Sequence, residues 1–223
     1  GGIPALQTWP LESNPRYADV IFPELLGYAD IPTLSFDIYL LSLTYLQQGL
    51  VQPETLAPYA GQVLTAYHTY EPQLRQAQPQ AGSTEGTAWA WAQDYADPRS
   101  HGALLLDLMG FIPTAEVKTA LHEAVSYADP GLKGFAVLSL VRLGEPVDAA
   151  DVRAVAADAD MRNYLYDGLT TLGQGALYPS EDRTQEAFAE SEMVHWLAYP
   201  SELGQPPDEI ELMQVVQMDG GAS

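Results

Sequence analysis

The chain has 223 residues, no cysteine, 47% hydrophobic residues and a formal net charge of −21, from 30 acidic and nine basic side chains. Disulfide and thiolate chemistry are thereby excluded, and a surface so poor in bases repels the phosphates of nucleic acids and of anionic membranes. The acidic share is ordinary, so the charge comes from the scarcity of lysine and arginine. It keeps a protein soluble, and it attracts a basic protein partner or a divalent cation.

In chain order, residues 1–14 carry Pro4 and Pro10 without periodicity and read as an extended arm. Pro15 suits the first turn of a helix reaching about Tyr28 and disturbed at Pro23. From Pro32 to Gln48, Leu34, Ile38, Leu41 and Tyr45 recur at helical spacing, and Gly49 stands where a left-handed glycine ends a helix. Glu54 to Arg75 predicts another helix, bent at Pro58, with Val63, Tyr67, Tyr70 and Leu74 on one stripe. The polar, Pro/Gly/Ser-containing stretch from Gln76 to Thr87 reads as a surface loop inserted in one continuous stack.

A repeat follows. Tyr95-Ala96-Asp97-Pro98 recurs 32 residues later as Tyr127-Ala128-Asp129-Pro130, and Asp158-Ala159-Asp160-Met161 echoes it without the proline. Asp97, Asp129 and Asp160 are expected to cap helices, with proline at the first helical position of the first two. Each cap precedes an apolar run: Leu105 to Met109, Leu132 to Leu143, and Tyr164 to Leu172. Between them, Thr114 is expected to cap a helix with Val117, Ala120, Leu121 and Ala124 inward, and Asp148 with Asp151 to open a short one. Ser180 with Glu181 and Asp182 predicts a helix to about Tyr199, since acids favour the positive end of the helix dipole. Ile210, Met213 and Val216 follow in a short last helix, within an acidic cap over 201–223.

Asp-Pro at a helix start, a leucine-rich run, then Leu143-Gly144 or Leu172-Gly173 and a second helix resemble the HEAT-like, armadillo-type repeat family. Ala128 to Gly144 is the closest stretch. The first unit departs from the pattern with Met109-Gly110, and the third lacks the proline. The resemblance implies an all-α, right-handed solenoid of helix pairs, roughly ten helices in all. It also implies an interaction scaffold whose concave face is made by the second helix of each pair. The expected organisation is one domain: the arm, N-terminal helices over 15–76, a loop over 77–87, repeats over 88–200 and the cap over 201–223.

Motifs for chemistry are missing. His68, His101, His122 and His195 form no metal-binding pair at helical spacing, and His122-Glu123 lacks the second histidine of a zinc-protease helix. There is no Gly-x-Ser-x-Gly elbow, no glycine-rich phosphate loop and no strand pattern. No catalytic residue, cofactor or metal is therefore expected. Candidate contacts for a partner are the aromatics. Trp89 and Trp91 lie about 200° apart around a helix, so both cannot enter one core face. An exposed tryptophan beside Tyr95 would anchor an interface. His195 and Trp196 raise the same possibility, although burial in the core is the stronger expectation for them.

The expected function is a non-catalytic scaffold binding a basic protein. The alternatives are a lyase-like or other enzyme with a small molecule in a groove, and a neutralising protein that masks a basic toxin or nucleic-acid-binding protein. No apolar run approaches the roughly 20 residues needed to span a bilayer. No signal peptide is read, and the expected location is the cytoplasm, with a removed N-terminal segment left open.

Overall fold

The computed structural model describes residues 11, 15–77 and 93–198. Trp89, Trp91, most of the 77–87 loop and the 201–223 cap lie outside the described residues, as does nearly all of the arm. Among the described residues the protein is all-α: nine α-helices, short 3₁₀ turns and no strand.

Helix α1 (Ala18–Leu26) follows a 3₁₀ turn at Pro15–Tyr17 and carries Pro23 inside it. Helix α2 (Pro32–Gln47) ends at Gly49, whose φ of +68° is the left-handed conformation expected there. The bend expected at Pro58 is sharper than a kink. Two 3₁₀ turns, Pro53–Thr55 and Ala57–Tyr59, precede α3 (Ala60–Gln76). The remaining helices are α4 (Gln93–Met109), α5 (Ala115–Ala124), α6 (Pro130–Arg142), α7 (Ala149–Ala156), α8 (Arg162–Thr171) and α9 (Gln185–Ala198).

Three more helix starts differ from expectation. Asp97 does not cap: α4 is already under way at Gln93, and Pro98 lies in its interior. The Asp97 side chain is 78% exposed and lies near His101 one turn on. Asp160 does not cap either; Asp158 accepts from the Met161 amide at 3.0 Å instead. The last helix begins later than Ser180. Thr184, rather than the acids, accepts from the Ala187 amide at 3.1 Å. Asp129, Thr114 and Asp148 cap as expected: each side chain accepts an amide of the first turn of α6, α5 and α7.

The helices α2, α4, α6 and α8 form a row in which each packs on the next. Helix α3 lies against α4, α5 against α6, α7 against both α6 and α8, and α9 against α8. Helix α6 explains how the row holds together. Leu132, Ala136 and Leu140 enter a core shared with α1–α5, while Val137, Leu138 and Val141 enter a second core with α7 and α8. A helix apolar on nearly all sides must be covered on both, and each fully buried leucine or valine contributes about 1.5–3 kcal/mol.

Candidate functional site

Two Asp–Arg pairs join α4 to α6, one near each end of the shared contact. Asp129 is fully buried at the start of α6. Its Oδ1 accepts the Gly131 amide at 2.8 Å, and its Oδ2 accepts Arg99 Nε at 2.7 Å and the Tyr95 hydroxyl at 3.2 Å. Burial, and then the Asp129 charge, push the Tyr95 hydroxyl far above its ordinary pKa, so it stays a donor. Asp158 and Asp160 crowd the same guanidinium. Burial raises both: Asp158 is pushed up to about 6, with Asp160 and Asp129 adding repulsion against the Met161 amide and Arg99.

The second pair faces outward. Asp107 is buried on α4; its Oδ1 accepts Arg142 Nη1 at 2.8 Å, and its Oδ2 accepts Gln47 Nε2 at 3.0 Å and the Tyr164 hydroxyl at 3.4 Å. One carboxylate thus ties together α2, α6 and α8. Arg142 also reaches the Asp107 carbonyl and lies 4.4 Å over the Phe111 ring. Above this network opens a cleft of about 510 Å³ lined by Leu46, Gln47, Phe111, Leu138, Arg142, Tyr164, Asp167, Gly168, Thr171 and Leu172. Helices α2 and α8, at the two ends of the row, both border it. The cleft lies on the row that holds the first helix of each repeat, α4, α6 and α8, whereas the family resemblance points to the second.

Glycines make both pairs possible. A Cβ on Gly131 would come within 2.5 Å of Arg99 Nη2, and one on Gly110 within 2.5 Å of Arg142 Nη1. Under the 32-residue shift of the repeat, Arg99 corresponds to Gly131 and Gly110 to Arg142. Arginine and glycine alternate in the same two slots, so each glycine leaves space for the arginine of the neighbouring repeat.

The aromatic candidates take different places. Tyr95 is half-buried and bonded to Asp129, so it is part of the closed pair. Trp196 is not core: it is 67% exposed on α9, beside exposed His195 and Met193. The face of α9 that packs is defined instead by Phe188, Ser191 and Val194. The cleft does not contain them. Of its key residues, Asp107, Arg142 and Asp167 were not singled out from sequence, and Tyr164, expected in the apolar stripe of its helix, is exposed at the cleft instead. The available signal was Asp107 itself, a carboxylate inside Leu104-Leu105-Leu106-Asp107-Leu108-Met109, where a buried charge demands a partner.

Among the described residues, no three or more His, Cys, Asp or Glu side chains are grouped to hold a metal ion, and no helix is long and apolar enough to cross a membrane. Comparison of the chain with models of known families, with curated proteins and with solved structures found no match in any of the three.

Proposed function

We propose that the chain is a right-handed, HEAT-like α-solenoid acting as a non-catalytic scaffold for a basic protein. The solenoid reading is supported by the unbroken row of α2, α4, α6 and α8 and by a doubly covered α6. The functional reading is carried by where the bases go. Of the nine, Arg75, Arg99, Lys118, Lys133, Arg142 and Arg162 form ion pairs with Glu123, Asp129, Glu145, Asp151, Asp107 and Glu190 respectively. Each of these pairs links one helix to another helix or to the turn beside it. Six of the nine bases therefore hold elements together.

Asp30, Glu54, Glu116, Asp148, Asp167 and Glu186 are exposed and make no ion pair among the described residues. Such a surface steers a positively charged protein toward itself and repels acidic ones. The test is capture from the source lysate on immobilised protein, followed by a rising salt step. A specific basic protein released by salt is expected. Absence of any specific partner, or retention indifferent to salt, would overturn the reading.

A further inference from the structure

The cleft above Asp107 has an uncompensated negative charge. Arg142 is met by Asp107, which leaves Asp167, exposed and without an ion-pair partner among the described residues. Tyr164, Asp167 and Thr171 occupy positions i, i+3 and i+7 of α8, so one helix face supplies an aromatic ring, a carboxylate and a hydroxyl to the same wall. Tyr164 as a residue is 42% exposed, while its hydroxyl is bonded to Asp107 and the Phe135 ring packs 5.2 Å from its own. The ring is therefore held in place at the cleft with part of its surface open. Leu46, Leu138 and Leu172 supply apolar surface beside it.

A cleft floored by the edges of leucines, next to a held aromatic ring and a free carboxylate, matches a long cationic side chain. Methylene groups lie on the leucines, and the head sits between ring and carboxylate. A planar guanidinium uses this arrangement better than an ammonium, since it stacks and offers paired donors to one carboxylate. An anionic ligand would meet Asp167 and find Arg142 already engaged.

We propose that this cleft receives an arginine side chain presented by an extended basic segment of the partner. The proposal rests on the reading of the chain as a scaffold for a basic protein, and names where and how that partner is gripped.

The experiment is titration with fluorescein-labelled hexa-arginine, with hexa-citrulline as the uncharged counterpart of the same shape. Wild type, Asp167→Asn, Tyr164→Phe and Glu116→Gln are compared, the last removing an equally exposed acid of α5 outside the cleft. Circular dichroism confirms that each variant is folded. Asp167→Asn is expected to weaken hexa-arginine binding roughly tenfold and Glu116→Gln less than about twofold. Tyr164→Phe, which keeps the ring, should retain most of the affinity, and the Gly168 amide resonance should shift on titration. Equal small losses from Asp167→Asn and Glu116→Gln would leave the acidic scaffold standing and overturn the cleft. No binding of hexa-arginine, or equal binding of hexa-citrulline, would overturn both. A dimer seen by light scattering and dissolved by Asp167→Asn would give the cleft to a second copy of the chain and overturn the assignment to a basic segment.

Discussion

The Arg99–Asp129 and Asp107–Arg142 pairs use the same two side-chain types between the same two helices, yet they meet different surroundings. Asp129 is sealed: it caps α6, accepts Tyr95 and Arg99, and shares Arg99 with the half-buried Asp158 and Asp160. Asp107 is also buried, but its partners Gln47, Arg142 and Tyr164 line an open cleft. The sealed pair fixes the register of the row. The open one fixes the register and also shapes a surface. An ion pair at a repeat interface is thus structural by default, and a site appears only where neighbouring side chains leave room beside it.

Breaking each pair should separate these roles. Asp129→Ala removes the cap and the acceptor of Tyr95 and Arg99, leaving the guanidinium to Asp158 and Asp160, and is expected to cost about 3–4 kcal/mol by chemical denaturation. Asp107→Ala should cost less, about 1.5–3 kcal/mol, because Asp107 caps no helix and its other partners, Gln47 and Tyr164, line the open cleft where water can replace it. Equal costs would contradict the distinction between sealed and open. Next in size are Gly131→Ala and Gly110→Ala, each expected to lose about 1–3 kcal/mol as the added methyl displaces the arginine of the neighbouring repeat.

The crowding of carboxylates around Arg99 gives a prediction of opposite sign. Asp158 titrates at about 6 in the fold, raised by burial from an ordinary value of 3.8. A group raised in the folded state favours folding in its protonated form. Its contribution is full below about pH 4 and is lost as pH rises through 6. Asp158→Asn keeps an acceptor for the Met161 amide but cannot ionise. It should stabilise the protein by about 1 kcal/mol at pH 7 and leave it nearly unchanged at pH 4. Denaturation curves at the two pH values check this, and a loss at pH 7 would count against it. The smallest effect concerns α9: Trp196→Ala should change stability by less than about 0.5 kcal/mol while removing an iodide-quenchable part of the fluorescence. A larger loss would return Trp196 to the core.

The all-α class, the span of α2 and the caps at Thr114, Asp129 and Asp148 were legible from periodicity and cap residues. What was not legible was how a repeat changes meaning with its surroundings. Tyr-Ala-Asp-Pro occurs twice with two structures. Before the second copy, α5 ends at Ala124, and the chain is extended at Asp129 and can cap. Before the first, α4 is already running at Gln93, and Asp97 and Pro98 are carried along as helix interior. The site was hidden for a related reason. Asp107 and Arg142 are 35 residues apart and Asp107 and Tyr164 57, and the packing of α2 on α4 brings Gln47 to them from the other side.

Six of the nine bases tie helices together, and in the proposed function the carboxylates left exposed receive a basic protein. The most direct measurement is the dissociation constant of the basic partner captured on immobilised chain, determined by calorimetry at low and high sodium chloride. More than about tenfold weakening between roughly 0.05 and 0.5 M is predicted, since exposed charges are screened beyond a few ångströms at the higher value. An affinity that does not change with salt would contradict the account.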